Sequence, residues 1–313
     1  MTRTVYVVDL AIGDFDQAVS DFRALFGVEG IPMWEEYEPS RMTRGMHFPV
    51  GGLQAFGLMA PTARPTTPVP AGLTPAQHLL AKHYRDELAK RGEGANLIGF
   101  IATDLAQTQA EFEAMGIQFV SKEPWRVGDE HINLSEQVHG VTLCFAQHDP
   151  GHWERWERGE LRAQGDTRVP GAASALRRRV TQALSLEIAV RDLEAAATSF
   201  TRVFGTPQRV DAAALPDGVR ACDFLTGGLR NVRLVAVQRP DGPRARLVAQ
   251  FLERRGEGPM LTSFLVPDVE RLRTELEGEG VAFLAAPARR AGASASACTQ
   301  PIHGCAIEFV QER

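Results

Sequence analysis

The chain has 313 residues, 44% of them hydrophobic and 23% charged, the balance of an ordinary folded protein with room for two full cores. A net charge of −5 offers no basic footprint for nucleic acid or an anionic membrane, and no apolar run approaches the roughly 18 residues a bilayer requires. The opening MTRTVYVVDL enters a strand directly in place of a signal segment, and the four cysteines lack zinc-like spacing, so the expectation is a reduced, cytoplasmic protein with no nucleic-acid or membrane partner.

The first strand, near Thr4–Ile12, alternates Val8, Leu10 and Ile12 against Val7, Asp9 and Ala11. A helix follows from about Asp16 to Phe26 with Ala18, Phe22, Leu25 and Phe26 as its buried stripe, and Gly27 reads as its stop. Three strands come next, near Ile31–Tyr37, Gly45–Val50 and Leu53–Ala60, with Gly51-Gly52 as the hairpin between the last two. Pro61–Pro70 reads as a surface loop, and Thr74-Pro75 starts a helix running to about Lys90. The β-α-β-β-β order then repeats from Asn96 to Ala146. Residues 148–180 read as a linker with one short amphipathic helix carrying Trp153 and Trp156, between a first domain at 1–147 and a second at 181–313.

The second domain repeats the first. VVDLAIGDFDQAVSDFRALFG (7–27) answers SLEIAVRDLEAAATSFTRVFG (185–205), each turning from strand to helix at an aspartate, Asp14 or Asp192. GEGANLIGFIATDLAQTQAEFEAMGI (92–117) answers GEGPMLTSFLVPDVERLRTELEGEGV (256–281), and HGVTLCFA (139–146) answers HGCAIEFV (303–310). Tandem β-α-β-β-β modules with this turn, this Phe-Gly helix end, a paired-glycine hairpin and a GEG lead into the fifth strand resemble the vicinal-oxygen-chelate superfamily, which includes glyoxalases, bleomycin-resistance proteins and extradiol dioxygenases. Within it the likeness is greatest to methylmalonyl-CoA epimerase and glyoxalase-like proteins. The resemblance implies an α+β fold in which four βαβββ modules form two tandem cups.

It also implies a divalent metal in each active cup, held by His, Glu or Gln, His and Glu on the first, fourth, fifth and eighth strands. Carried over by position, the first cup has Val7, Gly57, Leu97 and Cys144, and the second has Ser185, Arg233, Leu261 and Glu308. Only Glu308 matches, and Val, Gly and Leu side chains donate nothing to a metal. The usual metal centre is thus absent from both sets, and no cofactor follows from the resemblance.

Strand alternation supplies the other cup-facing candidates. In the first cup it gathers Asp9, His47, His131, Asn133 and Cys144. Asp9, His47 and His131 read either as an acid–base group or as a relocated divalent-metal site, or as separate polar residues. Cys144 is a candidate nucleophile or a small buried side chain. In the second cup Ser185, Glu187, Asp223, Arg233, Ser263 and Glu308 read as an internal salt-bridge network, with Arg233 as receptor for a substrate carboxylate in the rival reading. All four tryptophans, all three tyrosines and seven of the eight histidines fall in the first half, which favours the first cup as the working one, with Trp34 among its ligand contacts. Glu36, Glu38, His78 and His83 read as solvated surface residues, and His139 and His303, each before a glycine, as turn residues.

The expectation is an isomerase or lyase acting by acid–base chemistry on a small acid, carbonyl compound or acyl thioester. A non-catalytic small-molecule binding or resistance protein and a metal-dependent dioxygenase with relocated ligands are the alternatives. Whether the fused cups also form a homodimer is left open.

Overall fold

The computed structural model describes residues 4–33, 43–51, 53, 55–61, 75–127, 130–148, 179–210, 217–284 and 293–312. The first half gives β1 (Val5–Ala11), α1 (Phe15–Phe26), β2 (Ile31–Met33), β3 (Thr43–Phe48), β4 (Ala55–Pro61), α2 (Pro75–Arg91), β5 (Gly94–Ile101), α3 (Leu105–Ala114), β6 (Trp125–Val127), β7 (Glu130–Leu134) and β8 (Thr142–His148). The second gives β9 (Gln182–Ala189), α4 (Leu193–Phe204), β10 (Arg209–Val210), β11 (Val219–Leu225), β12 (Asn231–Val237), α5 (Pro243–Arg255), β13 (Gly258–Leu265), α6 (Val269–Gly278), β14 (Ala293–Cys298) and β15 (Ala306–Glu312). No described helix is long and apolar enough to cross a membrane. The predicted linker helix, with Trp153 and Trp156, lies outside the described residues, as do Trp34, Glu36, Glu38 and the side chain of His78.

Each half forms one mixed sheet, ordered β2-β3-β4-β1-β5-β8-β7-β6 in the first and β10-β11-β12-β9-β13-β15-β14 in the second. The acidic turn at each module start is a helix cap. Asp14, Asp104, Asp192 and Asp268 each accept a hydrogen bond from the backbone N–H three residues on, at 2.8–3.1 Å, which satisfies one of the orphan donors of the first turn. Gly27 ends α1 in the left-handed region, as its place in the Phe-Gly pair that closes the helix predicts.

The two halves share one apolar core. Phe22 and Phe26 of α1, Phe200 and Phe204 of α4, Phe56 of β4 and Phe264 of β13 belong to a single buried cluster. Phe26 meets Phe264 at 5.0 Å between ring centroids, and Phe100 meets Phe204 at 5.6 Å. This core covers one face of each sheet. The opposite, concave faces carry separate clusters, and each is covered by a helix that the repeat pattern alone had not placed there. Leu80 and Tyr84 of α2 pack on Val7, Leu97, Leu134 and Cys144, while Val248 and Phe251 of α5 pack on Val235, Leu261 and Ala306.

The GEG and His-Gly segments form a reciprocal clasp between the halves. Glu93 accepts backbone N–H bonds from Gly13 and Asp14 of its own half and meets His303 of the other half at 2.8 Å. Glu257 accepts from the Arg191 N–H of its own half and meets His139 of the other at 2.7 Å. Both histidines have positive φ, 50° and 48°, so the predicted turn role holds and the joining role is added to it. Gly140 and Gly304 follow them because a Cβ there would fall 1.7 and 1.8 Å from the carbonyl oxygens of Glu257 and Glu93.

Candidate active site

In the first cup the backbone register brings two of the expected residues together. Asp9 on β1 pairs with Gly57 on β4, and Gly57 pairs with His47 on β3, so all three face the concave side in one row. Asp9 Oδ1 lies 3.9 Å from His47 Nε2, beyond direct hydrogen-bond range but within reach through one bridging group. Gly57 makes this approach possible, since a Cβ there would stand 1.9 Å from Asp9 Oδ1 and 3.1 Å from His47 Cδ2. The other carboxylate oxygen, Asp9 Oδ2, accepts a 3.0 Å hydrogen bond from the hydroxyl of Tyr84, which descends from α2.

The electrostatics follow from burial. Desolvation pushes His47 down to about 3, so its imidazole is neutral at physiological pH. Burial and then the adjacent Asp9 charge hold the Tyr84 phenol well above its ordinary range, which keeps it a hydrogen-bond donor. At the preceding position of α2, His83 is pushed down to about 4 by burial and meets the Asn96 side-chain nitrogen at 2.9 Å. A register slip between Asp9 and Leu10 makes Asn96 the extra residue of β5, which sets its amide under α2 beside Leu97. His83 is therefore a half-buried residue turned toward the cup and not the solvated surface residue its helix position suggests.

His131 and Asn133 do not join this group. Asn133 pairs with Phe145, which faces the shared core, and Leu134 pairs with Cys144 of the concave cluster. Asn133 Nδ2 accordingly donates to Gln109 of α3 at 2.8 Å, and His131, paired with Gln147, shares that face. The alternation in β7 was real but its sense was inverted, because the concave surface under α2 is itself apolar and takes Ile132 and Leu134. Of the expected acid–base or relocated-metal set of Asp9, His47 and His131, the fold brings together only Asp9 and His47, with Tyr84 beside them, and His131 lies on the other face of β7. Cys144 does face the cup, in the apolar cluster with Tyr6, Tyr84 and Trp125.

The second cup is filled by charge pairs. Arg233 donates to Asp223 through Nε at 2.6 Å and Nη2 at 2.8 Å, and Asn231 donates to the same carboxylate at 2.9 Å. Arg244, at the start of α5, bridges Glu187 and approaches Glu308 at 3.8 Å, while Ser263 donates to Glu308 at 2.6 Å. The expected network is present. It holds Arg233 against Asp223 rather than displaying it to a substrate carboxylate, and its second cation, Arg244, was missed. The signal available was the Gly-Pro-Arg start of the middle helix, Gly242 to Arg244, which seats a charged first turn over the cup.

Neither donor set suits the metal that the resemblance implies. Around Gly57 the donors are one carboxylate and one imidazole, and around Glu308 the cation is already a guanidinium. Among the described residues no group of three or more His, Cys, Asp or Glu side chains is placed to hold a metal ion.

Comparison with known proteins agrees with this architecture. Residues 186–299 match the family model of the Glyoxalase/Bleomycin resistance protein/Dioxygenase superfamily. The chain has the tandem fold of that superfamily. A triple mutant of 4-hydroxymandelate synthase from Streptomyces coelicolor superposes with a TM-score of 0.69 at 13% identity, covering 100% of this chain and 94% of the other. The Mn(II)-bound glyoxalase from Novosphingobium aromaticivorans gives a TM-score of 0.57 at 12% identity, covering 100% of this chain and 83% of the other. Methylmalonyl-CoA epimerase from Mycobacterium tuberculosis is 24% identical over 43% of this chain and 89% of its own, with a TM-score of 0.36. No curated protein matches the sequence. The likeness to the synthase and the glyoxalase carries the fold alone, and the chemistry rests on the side chains present.

Proposed function

We propose that the first cup is the working site and performs acid–base chemistry, of isomerase or lyase type, on a small acid, carbonyl compound or acyl thioester. The observation that carries this reading is the convergence of Asp9 and His47 over Gly57. A carboxylate oriented by a tyrosine hydroxyl faces a neutral imidazole across a gap that one substrate group would bridge. Asp9 is the group to accept a proton, Tyr84 orients it, and His47 hydrogen-bonds the oxygen on which charge develops. Two polar side chains on the same concave face, Asn96 and Thr142, are fully or almost fully buried, with Asn96 Oδ1 and Thr142 Oγ1 lacking a protein partner, and are suited to hold polar atoms of a ligand. Their counterparts in the second copy, 164 residues on, are the apolar Met260 and Ala306.

The test is deuterium incorporation from heavy water into a panel of 2-oxo acids, hemithioacetals and acyl thioesters, followed by NMR. Accelerated exchange with one class is expected, falling by about 10²–10⁴-fold in Asp9→Asn and in His47→Gln with ligand binding retained. Exchange unaltered in both variants would remove the assignment. The aromatic and apolar floor of Tyr6, Trp125, Ile132 and Leu134 favours one second reading, a cup that binds a small molecule without turnover. Saturable binding with no exchange across the panel would select it.

A further inference from the structure

We infer that Arg244 acts as a tethered cation in the second cup, closing a carboxylate site that would otherwise take up a free cation. Glu187 and Glu308 are each only 1% exposed, and they rise from β9 and β15, two strands that flank β13. Two ionised carboxylates cannot be held in so dry a place without a counter-charge. Arg244 supplies it from the first turn of α5, with its own side chain 10% exposed and its two terminal nitrogens directed one to each carboxylate. Ser263 fixes Glu308 from the other side at 2.6 Å. Burial by itself would lower the guanidinium's pKa, but the attraction of Glu187 and then Glu308 outweighs it and the net shift is upward. Arg233 also feels the Glu187 charge, but its fork is taken up bidentately by Asp223, so Arg244 is the guanidinium directed at both Glu187 and Glu308.

The arrangement separates the two cups by occupancy. In the second, the positive charge comes with the chain, delivered by the same helix that covers the cup. A metal ion or a cationic ligand is excluded because its place is filled. All of these residues belong to the second cup, so the role of Arg244 is independent of any chemistry in the first.

Removal of the arginine tests it. Arg244→Ala leaves both carboxylates and Ser263 in place around a space of guanidinium size. It is expected to lower Tm by about 10 °C, the effect of an unpaired buried charge on a chain of this size. Guanidinium or Mn²⁺ at millimolar concentration should then restore Tm saturably, as binding to the folded state requires. The same additions should not stabilise the natural protein, nor the triple variant Arg244→Ala, Glu187→Gln, Glu308→Gln. A fall in Tm with no saturable recovery by either cation would overturn the inference, and so would an Arg244→Ala protein as stable as the natural one. If Arg244→Ala does not fold, the neutralised variant Arg244→Met, Glu187→Gln, Glu308→Gln decides. Recovery of a cooperative fold supports a counter-charge role, and persistent misfolding assigns Arg244 to packing alone and refutes it.

Discussion

At the place where the first cup has Gly57, between Asp9 and His47, the second has Arg233, between Glu187 and Asp223. The backbones around these positions pair in the same way, so the difference is one of side chains. In the first cup a carboxylate and a neutral imidazole approach each other over the glycine. In the second a guanidinium stands at the equivalent position and binds its neighbour bidentately. The same holds one layer up, where α2 sends a neutral tyrosine to Asp9 and α5 sends a charged arginine to Glu187 and Glu308. The repeat thus gives two sheets with the same pairing, and the side chains on their concave faces set a different charge balance in each.

The largest effect that would break this comparison is in the second cup. Arg233→Met strands the Asp223 carboxylate, which is 7% exposed, and is expected to cost about 3–5 kcal/mol in denaturant unfolding. The paired replacement Arg233→Met, Asp223→Leu should recover most of that loss, because apolar groups of similar volume often replace a buried ion pair at little cost. A single variant within about 0.5 kcal/mol of the natural protein would show that the network is solvated and the contrast overstated.

Next comes the glycine between Asp9 and His47. Gly57→Ala puts a methyl group 1.9 Å from Asp9 Oδ1, so the carboxylate must move. About 1–3 kcal/mol of destabilisation is expected from overpacking, together with loss of exchange activity or ligand binding in the first cup. Unchanged ligand binding and stability would show that the approach of Asp9 to His47 is not what the cup uses.

How much of this was legible beforehand differs between fold and site. The strand and helix order, the aspartate caps and the concave placement of Asp9, His47, Cys144, Glu187 and Glu308 follow from period-two and period-three-to-four patterns that appear in both copies. Asn133 and His131 defeated the same rule because β7 is sandwiched between two apolar surfaces, so its apolar residues face the cup and its amide is satisfied by Gln109. Tyr84, His83 and Arg244 were out of reach for another reason. They sit on helices inserted between modules, and periodicity shows that such a helix has a buried face without showing what it is buried against. Glu93 and Glu257 were visible as a repeated motif, but their partners are histidines 210 and 118 residues away.

The pH dependence of stability reads the first cup against the second. His47 and His83 titrate near 3 and 4 in the folded chain and near 6.5 when unfolded. Between those values the unfolded state binds more protons, so stability rises with pH and is lost on acidification below about 6.5. Each histidine contributes about 1.4 kcal/mol per pH unit through that window. His47→Gln should flatten the acid limb of a Tm-against-pH curve, and an unchanged slope would mean that the imidazole is hydrated in the folded protein.

The smallest expected effect is also the sharpest comparison, a graft of the second cup's floor into the first. His83 and Asn96 correspond at the 164-residue offset to Leu247 and Met260, both buried in the second cup's apolar cluster. The double replacement His83→Leu, Asn96→Met removes one 2.9 Å polar pair and the unpartnered Asn96 Oδ1 together, so no buried partner is left behind. Stability at neutral pH should change by less than about 1 kcal/mol, while the share of acid sensitivity due to His83 disappears. Single replacement of His83 alone should be worse than the pair, because it leaves both ends of the Asn96 amide without a partner. If the double variant instead loses ligand binding or exchange while keeping its Tm, the His83–Asn96 pair belongs to the site and not merely to the packing of α2. If it loses Tm by several degrees with binding intact, the pair is structural, and the polar difference between the two floors has no bearing on which cup works.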